Sequence, residues 1–450
     1  MLAKEFQNQY TYYDKDVETC SREALLDLQL DKLKKLLAHV WDSHGFYANK
    51  WKAAGLSNVK DIAGIGDFKK LPLTKKSEYV QDQAENPPYG TNLTYDIENY
   101  VRFHQTSGTT GKPLKWLDTT ESWDNWARCW CFVYGGAGVT AADRIFFPFS
   151  FGPFVGFWSA FEGARKLGAL AFPGGGQDTV TRINFILENK PTVICSTPSY
   201  ALRLAEAALE MGIDLSKSSV QKTIHAGEPG ASIPATKKKI ETLWGAKCYD
   251  HHGMTETGAM SFTCNAGPQG VHLNESEFYF EILDPETGLD VPDGQEGELV
   301  VTNLGRWGMP VIRYRTGDKV KVNRNRCDCG RSFMRMEGGI LGRVDDMLIV
   351  RGVNVFPSAI ENIIRAYDQV SEFKVEVYKD KEMDELNLLL EIDQNGHSQE
   401  EIAKLIRTVK EDLKANLQIR VDIGHVPAGT LPRFEMKAKR VIRVEQPTKL

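Results

Sequence analysis

Thr192-Val193-Ile194-Cys195-Ser196-Thr197-Pro198 is a short apolar run that ends in small polar residues, and a helical pattern from Tyr200 to Met211 follows it. A run of that length bounded by a turn reads as a buried strand, and apolar residues spaced three and four apart read as a helix packed on it. Outward from this stretch, Arg144 to Ser150, Ala169 to Gly176, Thr223 to Gly227 and Lys247 to Gly253 repeat the form, with helical segments between them. Strand, loop and helix in repetition predict an α/β fold: mostly parallel sheets covered by helices, with ligands at the C-terminal ends of the strands.

Before this block, Leu25, Leu26, Leu28, Leu33, Leu36, Leu37 and Val40 give an amphipathic helix over Ser21 to Val40. After it, Gly- and Pro-punctuated strands at Phe278 to Leu283, Gly297 to Thr302 and Lys319 to Val322 predict a small β subdomain over about 278–340. Beyond Leu348 come a helix from Pro357 to Tyr367, strands near Phe373 to Tyr378 and Leu386 to Ile392, a helix from Ser398 to Leu417, and a strand near Arg420 to His425. The expected division is a large domain over 1–344 and a small, mobile α+β domain over 345–450.

The 450 residues carry 55 Lys and Arg against 60 Asp and Glu, a net charge of −5, with 42% hydrophobic and 26% charged residues. That composition is globular; it excludes disorder, collagen and a disulfide mini-protein, and it leaves no basic footprint for nucleic acid or an anionic membrane. The start, Met1-Leu2-Ala3-Lys4-Glu5-Phe6, lacks a secretory h-region, so the cytoplasm is expected. The uncharged run Ile145 to Phe161 is broken by Pro148, Gly152, Pro153 and Gly156 and reads as buried chain, not a membrane span. Eight cysteines are too sparse for a disulfide framework, and close spacing in such a chain favours metal binding.

Thr106-Ser107-Gly108-Thr109-Thr110-Gly111-Lys112 places hydroxyls and glycines before a lysine, a loop able to wrap polyphosphate with N–H groups, hydroxyls and one cation. Two residues separate Gly108 from Gly111, where a Walker loop has four, so it is not a P-loop of that class. Further on stand His225-Ala226-Gly227-Glu228-Pro229, Tyr249-Asp250-His251-His252-Gly253-Met254-Thr255-Glu256, Tyr314-Arg315-Thr316-Gly317-Asp318, Gly342-Arg343-Val344-Asp345-Asp346, Arg351-Gly352-Val353-Asn354-Val355-Phe356-Pro357 and Leu431-Pro432-Arg433. In kind and order these resemble the motifs of the adenylate-forming superfamily of acyl-CoA synthetases, adenylation domains and luciferases, most closely the phenylacetate-CoA ligase subfamily.

The resemblance implies an ATP-dependent acid-CoA ligase that forms an acyl adenylate and then a thioester, using ATP, Mg²⁺ and coenzyme A on a carboxylic acid. By that resemblance Ser107, Gly108, Thr109, Thr110, Gly111 and Lys112 hold the β- and γ-phosphates, Thr255 meets the α-phosphate, Glu256 holds Mg²⁺, and Asp318, with Arg343 nearby, accepts the ribose hydroxyls. Gly227, Glu228, Pro229, Tyr249, Asp250, His251, His252, Gly253 and Met254 line the adenine side. Relatives usually carry Tyr where this chain has His252. Either histidine has an equal alternative as a satisfied polar group at a strand end.

Aligned on Leu431-Pro432-Arg433, the adenylation lysine is Lys437, with Lys439 as the lesser candidate because Met436 replaces the usual Gly. Asp345 matches the hinge about which the small domain turns. The aromatic run suggests an acyl pocket at Phe149, Phe151, Gly152, Pro153 and Phe154, with an aryl acid such as phenylacetate as the fitting substrate, while core packing explains most of the other rings.

Separately, Cys264, His272, Cys327 and Cys329 could converge on a structural Zn²⁺ that ties the β subdomain to the large domain; buried free thiols are the alternative. No nucleic-acid or membrane partner is expected, and the oligomer considered is a homodimer. Two other activities stay open: an adenylyltransferase that stops without CoA, and a nucleotide-binding regulator that has lost catalysis.

Overall fold

The computed structural model describes residues 11–106, 113–266, 270–344, 348–350, 353–380, 383–392, 398–417, 419, 421–434 and 438–448. Its centre is a five-stranded parallel sheet in the order Leu170–Pro173, Arg144–Phe147, Val193–Ser196, Lys222–His225, Lys247–Asp250. The stretch Thr192 to Pro198 forms the middle strand and then a helix over Pro198–Glu210. The helix starts there because Thr197 Oγ1 accepts from Tyr200 N at 3.3 Å and Pro198, with its fixed φ, occupies the first turn. Ala201, Leu204, Ala205 and Ala208, spaced three and four apart, are its buried stripe.

Adjacent side chains of a strand face opposite ways, and Phe146 and Phe147 use both faces. Phe146 packs with Ile183, Ile194 and Tyr200 on one side, and Phe147 with Trp130, Phe157 and Ala160 on the other. The second side is dominated by the helix Thr120–Gly136, which buries Trp126, Trp130, Phe132 and Tyr134 between the parallel sheet and a second, antiparallel one. A helix apolar on nearly all faces belongs inside a protein. At its end, a Cβ on Gly136 would stand 2.5 Å from Phe262 and 2.6 Å from the Thr263 carbonyl, so only glycine allows that approach.

The antiparallel sheet runs Ser261–Phe262, Val271–Leu273, Arg335–Met336, Tyr314–Asn323, Glu296–Asn303, Phe278–Leu283, with Gly342–Arg343 paired to Tyr314–Asn323. It therefore begins before residue 278, where the β subdomain is expected to start. Ser261–Phe262 and Val271–Leu273 are too short to show a period; they pair with each other, and Val271–Leu273 joins the sheet by pairing with Arg335–Met336. The uncharged run Ile145 to Phe161 is a strand, a loop and the start of the helix Trp158–Leu167. Among the described residues no helix is long and apolar enough to cross a membrane.

The C-terminal domain has its own six-stranded sheet, in which Met383–Ile392 pairs with both Val370–Asp380 and Asp422–Val426, and its own core of Ile360, Phe373, Leu388, Leu390, Val409 and Leu413. The helices Pro357–Ile364 and Gln399–Leu417 belong to it.

Candidate functional site

Part of the expected site, Gly227 to Pro229 and Asp250 to Glu256, follows the ends of two parallel strands, Lys222–His225 and Lys247–Asp250. Lys247–Asp250 finishes at Asp250, and the chain turns through a small hairpin, Gly253–Met254 with Gly258–Ala259, whose tip carries Thr255 and Glu256. Adjacent residues at that strand end again point opposite ways. His251 goes inward: its Nδ1 lies 2.7 Å from the Ser261 carbonyl, its ring 4.4 Å from that of Trp130, and burial lowers its pKa to about 4. His252 goes to the site, with Nε2 3.2 Å from Asp318 Oδ2. So His251 packs in the core, and of the two histidines His252 is the one that faces the Asp318 carboxylate.

Asp318 lies on Tyr314–Asn323 beside Arg343, its register partner, whose Nη1 donates to Oδ1 at 3.2 Å. Asp318 is 3% exposed, yet Oδ2 has no aligned donor among the described residues. Glu256 is the same case: 2% exposed, with Oε1 unmatched by any aligned hydrogen bond although Lys76 Nζ is 3.0 Å away. Buried carboxylate oxygens left unmatched are costly unless a ligand completes them. Both carboxylates lie near Tyr314, whose hydroxyl is pushed well up by burial first and then by the charges of Glu256 and Asp318. Two buried carboxylates that each keep an unmatched oxygen near one tyrosine have the chemistry to take hydroxyl groups or a metal ion.

Asp250 accepts from Ser232 Oγ and from His251 N at 3.0 Å, and burial raises its carboxyl to about 6. Tyr249 is in the core and donates to Asn265 Oδ1. Glu228 behaves differently from a pocket wall: Oε1 accepts from Ser199 N and Oε2 from Ala438 N, each at 2.8 Å, so it joins the two domains beside Gly227 and Pro229. Ser107 to Lys112, Asp345 and Lys437 lie outside the described residues; Lys439 is exposed.

The aromatic loop meets the site through Pro153, whose carbonyl accepts from Gln105 N at 2.9 Å, just before the expected phosphate loop. Phe151 stacks edge-on with Trp158 at 4.7 Å, and Trp158 Nε1 donates to the Gly152 carbonyl at 3.0 Å. Phe154 is half-buried against Gly152. The space opened by Gly156 is taken by the Phe149 ring, which is buried with Phe157. Phe149 is therefore packed as core, and Phe151, Trp158 and Phe154 are the rings left accessible.

The cysteine cluster stands apart. Cys264, His272, Cys327 and Cys329 are all buried, with their four ligand atoms within 4.8 Å of one another. Cys264 Sγ to Cys327 Sγ is 3.9 Å and Cys329 Sγ to His272 Nε2 is 3.5 Å. Tetrahedral Zn²⁺ with Zn–S of about 2.3 Å and Zn–N of about 2.05 Å requires S···S near 3.8 Å and S···N near 3.6 Å. His272 Nδ1 is 3.2 Å from the Phe333 carbonyl, which leaves Nε2 for a metal. Gly330, at φ +84°, closes the Cys327 turn by donating to the Cys327 carbonyl at 2.8 Å. All four ligands lie at one end of the antiparallel sheet, and Tyr12 binds the Cys329 carbonyl, so the cluster closes that end onto the N-terminal segment.

Sequence reasoning misses Lys76, Asn303 and Arg306. Lys76 follows Thr74-Lys75 at a helix start, a weak signal, and Arg306 stands in Leu304-Gly305-Arg306 with no motif to mark it.

The chain matches the AMP-binding enzyme family over residues 51–306 and the AMP-binding enzyme C-terminal domain over residues 352–444. It is 34% identical to the phenylacetate-coenzyme A ligase of Escherichia coli (strain K12) over 431 residues, 94% of this chain and 96% of the relative. It is 32% identical to the enzyme of that name from Thermus thermophilus over 448 residues, 96% of this chain and 99% of the relative. Among solved structures, a 2-hydroxyisobutyryl-CoA ligase in its postadenylation state aligns with a TM-score of 0.92 at 28% identity, covering 97% of this chain and 93% of that one. The same relative in its thioesterification state, with CoA, aligns at 0.73 over the same shares and 29% identity. With motifs, fold and matched segments in agreement along its length, the chain belongs to the AMP-binding enzyme family.

Proposed function

We propose that this protein is an ATP-dependent acid-CoA ligase, AMP-forming, acting on phenylacetate or a related aryl acid. The observation that carries the reading is that Glu256 and Asp318, the latter 3.2 Å from His252, both keep a buried, unmatched carboxylate oxygen near Tyr314, in a chain whose C-terminal domain docks through Ala438 on Glu228.

A carboxylate oxygen of the acid attacks the α-phosphorus of ATP; the bond to the β-phosphate oxygen breaks and pyrophosphate leaves with its electron pair. Charge accumulates on the α-phosphate oxygens in that transition state, and groups placed for it lower the barrier. Lys437, next to docked Ala438, is the cation assigned to bridge carboxylate and α-phosphate, and Thr255 the hydroxyl assigned to the same phosphate. Ser107 to Lys112 hold the outer phosphates, and Asp318 Oδ2 takes the ribose hydroxyls. Glu256 would hold Mg²⁺, which neutralises phosphate charge when bound. In the second step the CoA thiol, giving its proton to solvent, attacks the acyl carbonyl; the bond to the AMP oxygen breaks and AMP departs.

The domain placement resembles the postadenylation relative more than the thioesterification one, which supports rotation of residues 345–450 about Asp345 between the steps. The accessible rings of Phe151, Phe154 and Trp158 suit an aryl acid. Cys264, His272, Cys327 and Cys329 would hold a structural Zn²⁺ with no open position and no part in the chemistry. Acid-dependent exchange of labelled pyrophosphate into ATP tests the adenylation step: stimulation by phenylacetate over short fatty acids is expected, and no stimulation by any acid would sink the reading.

A further inference from the structure

The Thr255-Glu256-Thr257 tip presents three consecutive peptide carbonyls to two side chains from one segment. Arg306 Nη1 donates to the Thr255 carbonyl at 2.7 Å and to the Glu256 carbonyl at 3.0 Å. Asn303 Nδ2 donates to the Thr257 carbonyl at 2.7 Å. A hairpin tip has no ladder partners for such groups, and here side chains replace water as donors.

The donors are themselves fixed. Asn303 Oδ1 accepts from Gly305 N and Arg306 N, each at 2.9 Å, so its amide cannot turn over without losing both bonds. The Arg306 fork grips Asp118 with Nε and, at 2.7 Å, with Nη2, and the Arg306 and Asp118 side chains are 1% and 0% exposed. The guanidinium lies 4.1 Å from the Trp126 ring and 5.7 Å from that of Trp116, between the two indoles.

A buried ion pair alone is a weak stabiliser, because desolvation offsets the attraction. What the planar fork adds is direction: one edge locks onto Asp118 while the other nitrogen meets two backbone oxygens, which an ammonium cannot reproduce. We propose that Arg306 and Asn303 are positioning residues that clamp the Thr255–Thr257 backbone, so that the Thr255 hydroxyl and the Glu256 carboxylate are held ready for the α-phosphate and its metal, with Asp118, Trp116 and Trp126 as the rigid mount. This rests on the nucleotide reading of the site given above.

The test compares binding of MgATP and of adenosine by calorimetry, using the full chain and the variants Arg306→Lys and Asn303→Ala. Adenosine uses Asp318 and the adenine side but neither Thr255 nor Glu256 as assigned. Arg306→Lys is expected to lose about tenfold in MgATP affinity, the equivalent of one charge-assisted hydrogen bond, and Asn303→Ala about fivefold, the equivalent of one neutral hydrogen bond, with adenosine binding within about twofold of the parent in both. Asn303→Ala leaves the Arg306–Asp118 pair in place, so it reports even where Arg306→Lys fails to fold. Unchanged MgATP affinity in Asn303→Ala, or equal loss of both ligands, would overturn the clamp. Failure of the parent chain to bind MgATP while binding adenosine would instead overturn the phosphate and metal assignment of the site, and the clamp with it.

Discussion

The carboxylate of Glu228 accepts the N–H of Ala438 at 2.8 Å, joining residues 210 apart in sequence and two separately folded cores. The same carboxylate holds Ser199 N, in the first turn of the helix Pro198–Glu210, so the C-terminal chain is anchored to a strand end of the parallel sheet. Arg440 adds a second tie, with Nη2 donating to Ser199 Oγ at 2.8 Å. The residue before Ala438 is Lys437, the assigned adenylation lysine.

Lys437→Ala should therefore lower the first half-reaction by roughly 10²-fold or more, the scale expected for losing a group that meets charge developing in the transition state. Thioester formation from preformed acyl adenylate should be nearly unchanged. Separate assay of the two half-reactions checks this, and equal loss in both would refute the assignment.

Arg440 is buried with Glu361 and Glu372, its Nε donating to Glu372 Oε1 at 2.8 Å. Arg440→Ala removes one of the two guanidiniums, Arg365 being the other, that pair with Glu361 and Glu372, and should cost about 1–3 kcal/mol. Ser199→Ala removes only the cross-domain hydrogen bond and should cost about 1 kcal/mol or less. Denaturant melts of both variants measure the contrast; equal losses would mean that the docking contact, not the internal ion pairs, carries the effect.

Cys327→Ser should release the metal proposed for the cysteine cluster and lower the melting temperature while leaving nucleotide affinity unchanged. Tyr12, Phe333 and Gly330 are among the cluster's neighbours, at the end of the antiparallel sheet that meets the N-terminal segment. Metal analysis of parent and variant decides it, and the same zinc content in both would remove the proposal.

Acid should destabilise the fold through its buried neutral histidines. His104, His225 and His251 each have a pKa lowered from 6.5 to about 4, chiefly by burial. Below pH 6.5 the unfolded chain takes up protons that the folded chain does not, so stability is lost as the pH falls towards 4, by up to about 3 kcal/mol for each group. Asp250, raised to about 6, and Glu18, Glu206 and Glu361, each raised by burial, act in the opposite sense by holding protons when folded, while His39, lowered by burial, adds to the three histidines. The melting temperature should fall between about pH 7 and about pH 5, and a flat or rising profile would contradict this weighing.

The strands of the parallel sheet are legible in sequence because each is a short apolar run closed by small or polar residues, and Val193–Ser196 falls inside the stretch Thr192 to Pro198. The motifs carrying Asp318 and Arg343, 25 residues apart in sequence, stand side by side as register partners in neighbouring strands. The burial of Phe149 is illegible in sequence because nothing local shows that its ring fills the space Gly156 opens. Arg306 is illegible for a similar reason: its partners Asp118 and Thr255 are distant in sequence, and only the folded chain brings a guanidinium, a carboxylate and a hairpin tip together. Strand alternation could have separated His251 from His252, since adjacent residues at a strand end cannot face the same ligand.

The most direct test of the central claim is AMP and thioester formation from ATP, Mg²⁺ and phenylacetate, with and without CoA. The account predicts that AMP release requires the acid, that CoA drives turnover, and that phenylacetyl-CoA accumulates in step with AMP. Bound ATP with no AMP from any aryl or short fatty acid, or acid-dependent pyrophosphate exchange that never yields a thioester, would contradict it.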